Sequence, residues 1–322
     1  MKLAKAYGFL KKDLIVIENA LKEAIQAEHP ILREASIQLL EAGGKRIRPV
    51  FVLLASQLGN SDMQKVVEVA TTLELIHMAT LVHDDVIDDS ELRRGKPTIK
   101  KTYGNKVAMY TGDYILARSL EQISQVEDPR VHAILSRTLV DVCVGEIEQI
   151  KDQYNIDQPI HTYFKRIKRK TALLIATSCQ LGAIIGGMSD AIVKKMYTYG
   201  YCIGMSYQII DDILDFTATE KELGKPTGND LVQGNITLPV FFAKKDPAFA
   251  ELLRTHCTSE EEMQAHIEPI LLALHESTAI EESYRISERY LSRALEALED
   301  IPISRAKKTL HNIATYIGTR RS

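Results

Sequence analysis

LVHDDVIDDSELRRG, residues 81–95, and QIIDDILD, residues 208–215, decide how this chain is read. Asp84, Asp85 and Asp88 recur as Asp211, Asp212 and Asp215 with the same spacing, each set inside an apolar helical pattern. Positions i and i+4 share one face of an α-helix, so Asp84 faces Asp88 and Asp211 faces Asp215. Like charges so placed destabilise a bare helix by roughly 0.2–0.5 kcal/mol per pair. A single DDxxD can be a solvated helix end, but two copies flanked by Val82, Val86, Ile209, Ile210 and Ile213 point to carboxylates held for a cation. Mg2+ takes oxygen ligands, keeps several waters and is commonly shared between one or two carboxylates and substrate phosphates. Two facing clusters would therefore grip a diphosphate from both sides through metal.

Composition narrows the class. The chain has 322 residues, with Gly and Pro at 17 and 10, below their average share, which favours a largely helical protein. No linker is visible, and one all-α domain over 1–322 is expected. The net charge of −3 argues against nucleic acid as a partner, so phosphate binding must be local. Cys143, Cys179, Cys202 and Cys257 form no CxxC pair and no metal spacing with His, so core thiols in a reducing cytosol are the default. The N-terminus reads as an amphipathic helix rather than a signal peptide. Residues 171–188 are uncharged, at the lower edge of a spanning length, but Thr171, Thr177, Ser178, Gln180 and three glycines dilute them. A buried central helix is the better reading, with no transmembrane segment.

In chain order, helical spacing covers 3–27 and 31–42 and is followed by AGGKRIRP, residues 42–49. Gly43 and Gly44 end a helix, Pro49 sits near the start of the next, and Lys45, Arg46 and Arg48 add three positive charges. Cations at a helix N-terminus make an anion site. One helix runs from about Asp62 to Asp89, with His77 two turns before Asp84 on a similar face; a core histidine and a ligand are weighed equally there. Arg93, Arg94 and Lys96 then lead through Gly95 and Pro97 into a loop. Helices follow near 105–125, 129–152, 160–186 and 191–217. Lys170 stands out of the basic run KRIKRKT because it and Thr171 sit where the polar run meets the buried one. Gly204 and Ser206 are small enough for close helix approach, and residues 217–239 read as a long functional loop. Amphipathic helices with a polar break near 256–260 fill 238–318, where no chemistry is read. No GxxxxGK[ST], HExxH or GxSxG occurs.

GGKRIRP, DDVIDDSELRRG, KRKT, and YQIIDDILD followed by GKPTGND, in that order over about 43–235, resemble the signature of the trans-isoprenyl diphosphate synthases. The resemblance implies one large all-α helical bundle around a central cavity. It implies that Asp84, Asp85, Asp88, Asp211, Asp212 and Asp215 hold Mg2+ on an allylic diphosphate, which Arg93, Lys170 and Lys225 also contact. Lys45, Arg48, His77 and Arg94 match the family's isopentenyl diphosphate site, and Thr171 and Gln208 match positions near the reacting carbons. Tyr207 and Asn235 depart from the family's common Phe and Lys, and phosphate contacts from Asn235 are not carried over.

Within the family, the run of residues looks most like the catalytic component of two-component hexaprenyl or heptaprenyl diphosphate synthases, whose tails go into menaquinone. That implies a prenyltransferase extending an allylic primer, farnesyl diphosphate first, with isopentenyl diphosphate. The partner would be a small regulatory subunit, or a second copy of the chain. The place would be the cytoplasm, peripheral at the membrane where the lipid product leaves. The alternatives are a geranylgeranyl or one-component longer-chain synthase, a class I terpene cyclase, and a non-catalytic subunit. The intact second DDILD and the GGKRIRP run disfavour a cyclase, and a non-catalytic subunit should have lost acids from one cluster. For product length the resemblance points to the helix ending at Asp84. Ala79 and Thr80 stand where short-chain members place an aromatic floor, and Ile76, then Thr72, follow on the same stripe.

Overall fold

Helix starts fall where short polar side chains can satisfy exposed amides. Asp62 accepts from Gln64 N at 3.0 Å and opens helix Met63–Ile87. Asp246 accepts from Ala248 N at 2.7 Å before Pro247–His256, and Ser259 accepts from Glu262 N at 3.2 Å before Glu260–Glu276. In this computed structural model, residues 7–219 and 226–320 are described, and they are helical apart from one hairpin and the connecting turns, as expected of an all-α chain. Pro30–Glu41, Ile47–Ser56, Asn105–Ile123, Pro129–Lys151 and Asp190–Thr217 lie close to the spans read from periodicity, while within the 3–27 span the α-helix is Lys11–Ala24, entered through a 3-10 turn at Gly8–Leu10.

Four readings need correction. The segment after the first aspartate cluster is a β-hairpin, Leu92–Arg93 paired antiparallel with Lys96–Pro97, and not a loop. Arg94 (φ 54°) and Gly95 (φ 76°) both take positive φ, the geometry of the two-residue turn that matches strand twist. The 160–186 stretch is not one α-helix: Ile160–Ile167 passes through a π-helical turn, Lys168–Ala172, into Leu173–Ile185, with Leu173 N donating to Lys168 O. The long stretch after the second cluster contains a short helix, Asn229–Val232. Cys143 is exposed, whereas Cys179, Cys202 and Cys257 are buried, and all four are free thiols.

The chain divides into two compact units. One comprises Met1–Leu135, Thr177–Tyr197 and Ile301–Leu310, and the other Ser136–Ala176, Thr198–Asp300 and His311–Ser322. In the first, Met63–Ile87 is the central element, packed by Lys11–Ala24, Ile47–Ser56 and Asn105–Ile123. Its length and apolarity are enough to cross a membrane, yet 72% of the qualifying window is buried inside the protein, so core packing accounts for the composition. Gly182 and Gly186 lie against the backbone of Val52 and Ser56, where a Cβ would come within 2.5 and 2.7 Å of a carbonyl oxygen. In the second unit Tyr163, Ile209, Ile213, Phe216, Leu231 and Ile270 belong to one buried cluster. Each such aliphatic side chain contributes about 1.5–3 kcal/mol on full burial. The 173–185 run is almost wholly buried, as the reading of residues 171–188 expected.

Candidate active site

In the first unit the end of Met63–Ile87 carries the first aspartates, and the hairpin returns its arginines to them. Asp85 is buried and takes Arg93 through Nε and Nη2, at 2.7–3.0 Å. Asp84 is half-buried and Asp88 exposed, on the accessible side of the helix end. His77 lies within reach of the fields of Arg48, Arg94, Arg93 and Arg46. Burial first, and then those guanidinium groups, hold its imidazole well below the usual histidine range, so it is neutral at physiological pH. The structure thus places Arg48, Arg94 and Arg93, with Arg46, in the electrostatic surroundings of His77.

Close approach of the GGKRIRP turn completes this cluster. Arg46 takes a left-handed conformation (φ 47°) at the start of Ile47–Ser56. Its guanidinium is bound by Glu18 at 2.9 Å and by buried Glu74 at 3.1 Å, so this charge anchors the turn. A Cβ at Gly44 would sit 2.8 Å from Arg94 Nη1. Arg48 is buried, while Lys45 is exposed and its carbonyl accepts from the Tyr7 hydroxyl at 3.4 Å.

In the second unit a chain of hydrogen bonds links the remaining predicted residues. Thr171 Oγ1 donates to Gln208 Oε1 at 2.6 Å, and Gln208 Nε2 donates to Asp212 Oδ1 at 2.8 Å. The Tyr163 hydroxyl donates to Asp212 Oδ2 at 2.7 Å. Lys170 Nζ donates to Gln149 Oε1 at 3.1 Å. Lys170 and Thr171 are both delivered by the π turn, a distortion that often marks functional sites. Ala172 in that turn is wedged against Gly204, where a Cβ would come within 2.4 Å of Ala172 Cα, so the close approach read for Gly204 is present. Ser206 likewise meets Ser287, hydroxyl to hydroxyl at 2.7 Å.

The two motifs share a division of labour. Each middle acid, Asp85 and Asp212, is buried and fully engaged by protein donors. Burial, and then the nearby charge of Asp230, push the Asp212 carboxyl up to about 7, against the opposing hydrogen bonds from Gln208 and Tyr163. Asp215 is buried too and its Oδ2 accepts from Asp230 N at 3.1 Å. Asp211 is half-buried and meets Arg320 Nη1 at 3.0 Å, with the guanidinium 5.2 Å from the Tyr207 ring. Asp84, Asp88 and Asp211 are therefore the accessible members. Each set offers oxygen donors alone, which suits a hard divalent cation such as Mg2+. Lys225 lies outside the described residues. Ala79 and Ile76 are buried in Met63–Ile87, and Thr80 Oγ1 donates to His77 O at 2.8 Å. Tyr163, Gln149, Asp230 and Arg320 were not singled out from sequence. Of these only Asp230 stood inside a motif already quoted, GKPTGND.

Comparison with known proteins leads to the same family as the sequence motifs. A family model described as polyprenyl synthetase matches residues 29–274. Heptaprenyl diphosphate synthase component 2 of Bacillus subtilis is 56% identical, covering 100% of this chain and 92% of that protein. The crystal structure of heptaprenyl diphosphate synthase from Staphylococcus aureus superposes with a TM-score of 0.92 at 43% identity, over 97% of this chain and 99% of that one. A polyprenyl synthase from Caulobacter crescentus, solved with calcium and isoprenyl diphosphate, gives 0.93 at 28% identity over 100% and 98% of the two chains. This chain belongs to the polyprenyl synthetase family and is a trans-prenyltransferase.

Proposed function

We propose that the chain is the catalytic component of a two-component heptaprenyl diphosphate synthase, acting with Mg2+ as one functional domain over its whole length. The observation that carries this reading is that both aspartate sets are complete, in a chain similar along its whole length to a protein named component 2 of that enzyme. The reaction joins isopentenyl diphosphate to an allylic diphosphate, farnesyl diphosphate first. The allylic C–O bond breaks, the double bond of isopentenyl diphosphate forms the new C–C bond, and a proton leaves to the released diphosphate. Bound Mg2+ supplies charge neutralisation on the departing diphosphate.

The protein's own contribution is electrostatic and positional. Asp84, Asp88 and Asp211 offer the accessible carboxylates for the metal, and the protein contacts of Asp85 and Asp212 fix the helix faces that present them. Arg93, Lys170 and Lys225 meet the allylic diphosphate. Lys45, Arg48, Arg94 and neutral His77 receive isopentenyl diphosphate, where His77 adds a hydrogen-bonding group without a competing charge. Thr171 and Gln208 stand beside the developing allylic cation, each a dipole already oriented by its neighbour.

A second chain is part of the reading. The Pro129–Lys151 helix exposes Val140, Val144, Ile147 and Ile150, at spacings of four, three and three, as one apolar face. Such a face supports assembly with a regulatory subunit. The enzyme works in the cytoplasm, with its lipid product released at the membrane. The test is mass spectrometry of products from farnesyl and isopentenyl diphosphates, with the purified chain alone and then with cell extract supplying a partner. Heptaprenyl diphosphate that needs Mg2+ and extract, and that vanishes in Asp84→Ala, is expected. Full-length product from the chain alone would overturn the two-component reading, and near-normal turnover in Asp84→Ala would overturn the metal assignment.

A further inference from the structure

The 238–318 region, in which no chemistry is read from sequence, holds a compact cluster of metal-ligating side chains. His256 ends helix Pro247–His256, and Glu262 and His266 lie one turn apart in Glu260–Glu276. His256 Nδ1 is 2.9 Å from Glu262 Oε1, and His266 Nδ1 is 3.3 Å from the same oxygen. The two imidazoles stack at 3.8 Å between centroids with 17° between planes. One ligand atom from each of the three residues lies within 4.8 Å of the others, and all three side chains are half-buried, which leaves an entry path. Among the described residues no other group of three meets that criterion.

We infer that His256, Glu262 and His266 form a binding site for a borderline transition-metal dication, Zn2+ foremost, separate from the aspartate clusters. The donor set of two imidazoles and one carboxylate suits Zn2+, Co2+ or Ni2+, whereas Mg2+ seeks oxygen alone. Bonds of about 2.0–2.1 Å in a tetrahedron separate ligands by about 3.3 Å, which the two His–Glu spacings already approach; because an imidazole binds through a lone pair in its own plane, the stacked rings must also rotate out of parallel to close on an ion. A water takes the fourth position. The ion would replace the proton that His256 Nδ1 shares with Glu262 Oε1 and the one that His266 Nδ1 shares with the backbone oxygen of Glu262 at 3.0 Å. The carboxyl of Glu262 is already held below its usual range by the hydrogen bond to His256, so it is ionised as a ligand must be.

Local structure makes the site rigid. The connecting residues 257–259 are tied by Thr258 N to His256 O at 2.9 Å and by the Ser259 cap on Glu262 N at 3.2 Å. Bound metal would therefore staple two helices of the second unit across a short turn. The helix it holds, Glu260–Glu276, packs against Asn229–Val232, whose Asp230 N bonds Asp215.

The test uses the full, tag-free chain stripped with chelator and titrated calorimetrically with Zn2+ in saturating Mg2+, which occupies the all-oxygen sites. One Zn2+ per chain and a raised melting temperature are expected. Both effects should be lost in His256→Ala/His266→Ala, with affinity falling by more than the roughly 10–100-fold that loss of a mere outer-shell partner costs. Helical circular dichroism checks folding, and His256→Asn/His266→Asn replaces the alanine pair if that variant unfolds. Absence of saturable Zn2+ uptake, or equal uptake by the folded double variant, overturns the site. Metal uptake is read without prenyl transfer, so either outcome leaves the proposed activity to its own test.

Discussion

Asp212 is a carboxyl whose surroundings prefer it neutral. Its ordinary value of 3.8 rises to about 7 in the fold, chiefly through burial. Between those values the folded chain binds a proton that the unfolded chain has lost, so stability of the metal-free protein should fall as pH rises from about 4 through about 7, by a few kcal/mol in all. Asp212→Asn keeps the shape and removes the charge. Thermal melts of the chelator-treated variant should lose that pH dependence and exceed the parent in stability above about pH 7, while prenyl transfer collapses. Added Mg2+ should steady the parent chain more than the variant above about pH 7, because a nearby bound cation favours the ionised Asp212 carboxylate that the variant lacks. Equal pH dependence in the two proteins would show that Asp212 is not the group responsible. All six aspartates were legible in the sequence because their spacing repeats. Which of them turns inward was not: Tyr163 is 49 positions from Asp212, and Arg320 is 109 from Asp211.

At the scale of elements, Met63–Ile87 is the scaffold of the first aspartates and the helix to which the family resemblance points for product length. Ala79 stands five residues before Asp84 and is 2% exposed. We expect Ala79→Tyr to shorten products to farnesyl or geranylgeranyl length, and Ile76→Gly to lengthen them, as read by mass spectrometry. If Ala79 only packs against a neighbour, the tyrosine instead costs about 1–3 kcal/mol of overpacking and leaves the product profile unchanged. Helix ends were largely legible because caps such as Asp62 act on amides two residues away. The hairpin and the π turn were not. Arg94 takes a backbone conformation that propensity assigns to Asn or Gly, and the π turn answers to Gly204, thirty-two positions after Ala172.

Across the whole molecule, surface decides partnership. Ile147 is 68% exposed and Val140 63%, on a helix whose other face packs inward. Ile147→Asp should leave the stability of the single chain within about 0.5 kcal/mol of the parent, since surface changes rarely exceed that. It should nevertheless weaken assembly, seen as a lighter species in sedimentation and as lost activation by added partner. Unchanged mass and activation would place the partner elsewhere. The all-α class could be read from composition and periodicity, but the exposure of this stripe could not, because an apolar face looks the same in sequence whether it meets a core or a second chain. The π turn at Lys168–Ala172 bears on how this chain can vary in length. Deleting one residue there would let the helix run on regularly, yet it would turn Lys170 and Thr171 by part of the roughly 100° that separates successive residues, away from Gln149 and Gln208. A substitution in this segment alters one side chain, whereas a one-residue deletion redirects every group the segment presents.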